Sequence, residues 1–178
     1  MSATLKPKVL FIGFGHLAKS LLSKKLLNFV NIHALNSKGV IKNINLKKKI
    51  LNFNNDYKYI FLLVRPKTFL TSGNQFQKYL SKETLVISCM AGIKLSTIEK
   101  TLKSKKIVRI MPNVMAINNK SQTHIYMKNK NLFDSKLKKI LSTFGTIINV
   151  RNEDQINFAT SVFGLSLIHI WRCRRQSS

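Results

Sequence analysis

A chain of 178 residues can build one good core and is too short for two ordinary domains. Its 31 Lys and Arg against 6 Asp and Glu give a net charge of +25, which alone would point to nucleic acid or an anionic membrane. The lysines are scattered among Asn and Ile, as an AT-rich gene would encode them, and only Lys47–Lys49 and Arg172–Arg175 cluster, so no specific nucleic acid and no membrane partner is expected.

Lys6 and Lys8 before the apolar Val9–Ile12 imitate a signal peptide, but Gly13, Gly15 and His16 break the apolar region and no A-x-A pattern follows. No apolar run approaches the roughly 18 residues of a membrane span, and a cytoplasmic chain is expected. Val9–Ile12 reads instead as a first strand. Gly13-Phe14-Gly15-His16-Leu17-Ala18 follows it and opens a helix in which Leu17, Ala18, Leu21, Leu22 and Leu26 share one face. In this G-x-G-x-x-A pattern the first glycine permits a tight turn, the second lets backbone approach a pyrophosphate, and Ala18 lets helix and strand pack closely. Alone the motif also fits an ordinary turn; its strand–turn–helix setting favours a dinucleotide at the helix start.

Ile32–Leu35 reads as the second strand, whose end should distinguish NAD from NADP: an acid there binds the ribose 2′-hydroxyl and repels a 2′-phosphate. Asn36, Ser37 and Lys38 include no acid and suit NADP(H), although a polar loop in a lysine-rich chain also accounts for Lys38. Tyr59–Val64 is a third strand ending in Val64-Arg65-Pro66. Leu85–Cys89 is a fourth, followed by Met90-Ala91-Gly92-Ile93. Cys89 and Cys173 lack a CxxC or a His at metal spacing, so neither a metal site nor a disulfide framework is indicated. Ser96 with Glu99 has capping-box spacing and predicts a helix from Thr97. Ile107–Met111 is a fifth strand running into Pro112-Asn113; Leu132, Leu137, Ile140, Leu141 and Phe144 mark a helix, and Thr146–Val150 a last strand. The alternation predicts an α/β fold: a doubly wound, mainly parallel Rossmann-type sheet with helices on both faces, its ligand beyond the carboxyl ends of the strands.

Taken in order and spacing, the glycine turn, Val64-Arg65-Pro66, Ala91-Gly92-Ile93 and Arg109-Ile110-Met111-Pro112-Asn113 resemble the pyrroline-5-carboxylate reductase family. Its corresponding motifs are G-x-G-(N/Q)-(M/L)-A, V-K-P, A-A-G-(I/V) and R-x-M-P-N. The resemblance runs from about Lys8 to Gly164, with Phe144-Gly145, Glu153-Asp154 and Ala159-Thr160-Ser161-Val162 matching the family's passage into a second domain. It implies hydride transfer from NADPH to the C=N bond of 1-pyrroline-5-carboxylate, giving L-proline. It also implies that Gly13, Phe14, Gly15, His16 and Leu17 hold the pyrophosphate, with Asn36, Ser37 and Lys38 near the 2′-phosphate. Val64, Arg65, Pro66, Ala91 and Gly92 would meet the ribose and nicotinamide, and Met111, Pro112 and Asn113 would wall the pocket. No catalytic residue is assigned, and whether an Asn of Asn52–Asn55 touches the cofactor stays open. His16 stands where the family has an amide, Arg65 where it has Lys, and Met90 where it has a small residue, which would enlarge the side chain beside the nicotinamide.

After Gly164 the family continues into a helical domain of about a hundred residues that builds the oligomer interface and much of the substrate site. Here Leu165–Arg175 reads like a translated sequencing adapter with TGA decoded as Trp171; a basic amphipathic tail is the alternative. The expectation is therefore a cofactor domain over residues 1–164, a non-native tail over 165–178, an oligomer formed only through the missing domain, and little turnover. The rival readings are another two-domain NADP-dependent reductase, such as a β-hydroxyacid dehydrogenase, and a non-catalytic NADP-binding protein.

Overall fold

The computed structural model describes residues 6–50 and 56–156. Asn52–Asn55, Ala159–Val162 and the tail from residue 165 lie outside the described residues. Nine strands form one sheet: β1 (Lys8–Ile12), β2 (Asn31–Leu35), β3 (Ile41–Asn43), β4 (Lys48–Ile50), β5 (Tyr59–Leu62), β6 (Leu85–Ser88), β7 (Ile107–Met111), β8 (Ser121–Tyr126) and β9 (Gly145–Asn149). Their order is β4-β3-β2-β1-β5-β6-β7-β8-β9, and the central run from β2 to β7 is parallel throughout. All six expected strands are present, within two residues at each end.

Side-chain alternation sorts the core into two layers. Val9 and Phe11 of β1 with Phe61 of β5 face α1 (His16–Leu21), α2 (Lys24–Phe29) and α5 (Ser135–Ser142). Leu10, Ile12, Ile60 and Leu62 face α3 (Pro66–Ser72), the 3₁₀ segment Gly73–Tyr79 and α4 (Leu95–Leu102). Strands covered on both faces need apolar residues at every position, which is why β1, β5 and β6 read as continuous runs.

Two helix expectations are corrected. The first helix is broken: Ser23 turns extended and its hydroxyl accepts from Leu26 N at 3.1 Å, capping a separate α2. The expected capping box at Ser96 does not form, because α4 already begins at Leu95. Glu99 instead pairs with Lys128 at 2.7 Å, and the carboxylate at the start of α4 comes from Glu153.

Three strands escaped the apolar pattern. In β8 the inward positions include Ser121 and Thr123, whose hydroxyls satisfy one another at 3.1 Å. The short β3 and β4 carry Lys42, Lys48 and Lys49 on an outer hairpin, where charge discourages pairing with another chain's edge.

His33 on β2 is buried between Tyr57, whose hydroxyl lies 2.9 Å from Nδ1, and Asn43, whose amide nitrogen lies 3.3 Å from Nε2. Burial, reinforced by Lys8, holds its pKa below the ordinary 6.5, so protons bind the unfolded chain more readily than the folded one. Stability is accordingly expected to be fully present above pH 6.5 and to fall on acidification through the lower folded value. Denaturant titrations at pH 7.5 and about pH 5 check this; the fall should be smaller in His33→Gln, the remainder coming from His124, whose pKa burial also lowers.

Candidate cofactor cleft

Strand order reverses about β1: the chain runs from β1 to β2 on one side and later returns to place β5 on the other. A crevice must open at such a point, beyond the carboxyl ends of the strands. A cleft of about 740 Å³ lies there, bounded by the turn after β1, the loop after β2 and the segment after β5.

Gly13 and Gly15 have different physical tasks. Gly13 sits at φ +95°, and a Cβ built on it would lie 2.8 Å from the carbonyl carbon and oxygen of Leu63. Its N–H donates to Leu35 O at 3.0 Å while Leu63 N donates to Ile12 O at 2.8 Å, so this turn threads between the ends of β2 and β5. A Cβ on Gly15 meets no atom within 4 Å, leaving room for a ligand to approach the backbone.

The loop after β2 is held from within. Asn36 Oδ1 accepts from Lys38 N at 2.9 Å and Val40 N at 3.0 Å, fixing an Asx turn that exposes Ser37 at the cleft. Of the residues singled out in the sequence, Gly13, Phe14, Gly15, Asn36, Ser37, Val64 and Arg65 line the cleft. His16, Leu17, Lys38 and Pro66 adjoin it in sequence without lining it. Pro66 is the first residue of α3, where its missing N–H costs nothing, and Leu17 packs on the core.

The sequence reading missed the wall opposite that loop. Thr68, Ser72 and Gln75 recur at helical spacing beside the buried Phe69, Phe76 lines the cleft with them, and Lys78 follows with its Nζ 5.2 Å from the Tyr79 ring centroid. The spacing was a legible signal. Among the described residues the cations lining the cleft are thus Arg65 and Lys78, and no carboxylate lines it.

Ala91 and Gly92 follow β6, and Met111, Pro112 and Asn113 end and follow β7; both turns lie farther along the same sheet edge and outside the cleft. Met90, expected to enlarge the nicotinamide pocket, is 2% exposed and packs into the core layer with Ile93 and Ile98. Its side chain turns inward. Asn113 Oδ1 accepts from Met115 N at 3.0 Å and caps the 3₁₀ turn Val114–Asn118. Arg109 is fully buried; it donates from NH1 to Glu153 Oε1 at 2.6 Å and from NH2 to Met90 O at 3.3 Å. Burial pushes the Cys89 thiol far up, so this cysteine is packing rather than a nucleophile.

No protein-family model matches the chain. A curated relative from Staphylococcus aureus (strain COL), named pyrroline-5-carboxylate reductase, is 28% identical over 174 aligned residues, covering 88% of this chain and 63% of the relative. The chain resembles pyrroline-5-carboxylate reductases. It spans less than two thirds of the length of those curated reductases. Among solved structures, the NADP-bound pyrroline carboxylate reductase of Plasmodium falciparum superposes with a TM-score of 0.74 at 20% identity, over 97% of this chain and 68% of that one. The pyrroline-5-carboxylate reductase of Coxiella burnetii gives 0.71 at 22%, over 96% and 68%. These similarities show the Rossmann-type fold expected from the pattern. Among the described residues no helix is long and apolar enough to cross a membrane.

The two glycines of the turn should separate under substitution. Gly13→Ala is expected to lower stability by about 2–4 kcal/mol, through the positive φ and the contact with Leu63. Gly15→Ala should cost less than about 1 kcal/mol, because Gly15 is only the N-cap of α1 and has open space around it. Chemical denaturation of the two variants measures both; equal losses would remove the distinction.

Proposed function

We propose that the chain supplies the NADP(H)-binding part of a reductase that converts 1-pyrroline-5-carboxylate to L-proline. The observation that carries this reading is the cleft at the strand reversal, with a glycine turn on one side and Arg65 and Lys78, without a carboxylate, on the others. The donor set fits NADP: Asn36 and Ser37 line the cleft where an adenosine ribose would lie, and two cations are available to a 2′-phosphate. The similarity to curated pyrroline-5-carboxylate reductases supports this chemistry ahead of that of a β-hydroxyacid dehydrogenase.

When bound, NADPH supplies the hydride. The chain's own residues bind and orient it: the Gly13–Gly15 turn takes the pyrophosphate, with His16 and Leu17 beginning the helix behind it. Val64 and Pro66 meet the ribose at the end of β5 while Arg65, between them, is available to the 2′-phosphate; Ala91 and Gly92 carry the nicotinamide past β6, and Met111, Pro112 and Asn113 wall the substrate side. Lys38, outside the cleft, gives way to Lys78 as the cation nearest the adenosine end. The share of the curated reductases that this chain leaves unmatched is where most of the substrate contacts and the oligomer interface would reside.

Fluorescence titration with NADPH and NADH tests the reading: NADPH should bind more tightly. Lys78→Ala and Arg65→Ala should each weaken NADPH by roughly tenfold, and NADH much less. A loss confined to Lys38→Ala would return the 2′-phosphate to the loop after β2. The 178-residue chain should bind NADPH yet reduce 1-pyrroline-5-carboxylate slowly or not at all; rapid proline formation would show that the substrate site is already present.

A further inference from the structure

Glu153 lies beyond the last strand, and its carboxylate bonds groups far from it in sequence. One of its carboxylate oxygens, Oε1, accepts from Arg109 NH1 at 2.6 Å and from Leu95 N at 2.5 Å. Arg109 in turn donates from NH2 to Met90 O at 3.3 Å. The two hydrogen-bonded ends, Met90 and Leu95, bracket the Ala91–Lys94 turn, in which Gly92 holds φ +70°. Met90, Ile93 and Leu95 are buried, while Ala91 is half-exposed and Gly92 exposed. The turn is therefore pinned at both ends from below and presents its backbone at the sheet edge.

We propose that Arg109 and Glu153 are positioning residues for the nicotinamide half of the cofactor, acting through the Met90–Leu95 turn. A local turn of this kind needs no charge to close; a glycine at positive φ suffices. Burying a guanidinium against a half-buried carboxylate to hold it is costly unless each finds charge-assisted partners, and here both do. The arrangement fixes the height and tilt of the Ala91–Gly92 backbone against a ligand lying across β5 and β6. It also ties that backbone to the segment following β9, so a displacement after residue 149 reaches the cofactor through a single carboxylate. The inference rests on the reading that Ala91 and Gly92 meet the nicotinamide.

The test compares two ligands on the full 178-residue chain: NADPH, which spans the whole edge, and 2′,5′-ADP, which carries only the adenosine end. In the wild type NADPH should bind more tightly; equal affinity would overturn the nicotinamide reading itself, and this inference with it. Glu153→Gln keeps size and acceptor but removes the charge, and Arg109→Lys keeps charge but loses the fork. Each is expected to weaken NADPH by about fivefold to tenfold while leaving 2′,5′-ADP within about twofold. Because 2′,5′-ADP binding also reports a folded cleft, loss of both ligands would make the pair a general support of the fold and overturn the proposal. Retention of wild-type affinity for both would overturn it too.

Discussion

The carboxyl edge of the sheet depends on how closely the turn after β1 passes the end of β5. Gly13 is in contact with the Leu63 carbonyl, and its amide is bound to the end of β2. No side chain fits there, so the three strand ends converge and then diverge at once. The divergence is the cleft. Chain direction decides where it opens, because β2 and β5 leave β1 on opposite sides and their following segments cannot fill the same space. The loop after β2 closes on itself through Asn36, and the segment after β5 stands across from it as a helix and a 3₁₀ extension. Both walls are held by hydrogen bonds and core packing within the chain, which limits the ordering cost of binding.

The opposite end of the edge is organised by charge rather than by close packing. Among the described residues Arg109 heads the fully buried side chains by size, on a strand, β7, whose other residues are all apolar. Buried ion pairs contribute little net stability compared with well-packed apolar residues, yet removing one partner costs about 3–5 kcal/mol. What such a pair provides is direction: a guanidinium has a fixed fork, and a carboxylate oxygen placed at it leaves few positions for the groups both must satisfy. Glu153 meets Arg109 across 44 residues and Leu95 across 58, so the start of α4 and the turn before it are set by a contact that local sequence does not contain.

That long reach explains which features were legible in the sequence. The parallel strands were, because burial on both faces demands apolar runs such as Tyr59–Leu62 and Leu85–Ser88. The glycine turn was, because Gly13 answers a local steric demand next to a strand. The start of α4 was misplaced because Ser96 and Glu99 match a local capping rule, while the actual cap arrives from Glu153. β8 was missed because Ser121 and Thr123 occupy inward positions and satisfy each other, a pairing that hydropathy cannot reveal. Arg65 was legible as a cleft cation because it follows a strand directly, whereas Lys78, next to Tyr79 on the wall opposite the loop after β2, lies far along the chain from the end of β5. The Thr68, Ser72 and Gln75 spacing carried the information that this wall is polar.

The excess of lysine bears on how that cleft would select an anion. A net charge of +25 creates a field that attracts any polyanion and hastens its arrival, but such a field carries no geometry and fades over a Debye length of about 8 Å at physiological salt. Most of the described lysines sit on solvated faces; Lys42 and Lys49 even oppose one another across the outer hairpin, a like-charge pairing. Discrimination between NADPH and NADH has to come from the few groups whose positions the fold sets. Arg65 is fixed by Pro66 at the start of α3, Ser37 by the Asn36 turn, and Lys78 by the element that also buries Phe76 and Tyr79. The diffuse charge gathers anions without choosing among them, and the choice would fall to side chains such as Arg65 and Lys78, exposed themselves but rooted in backbone that the core beneath holds in place.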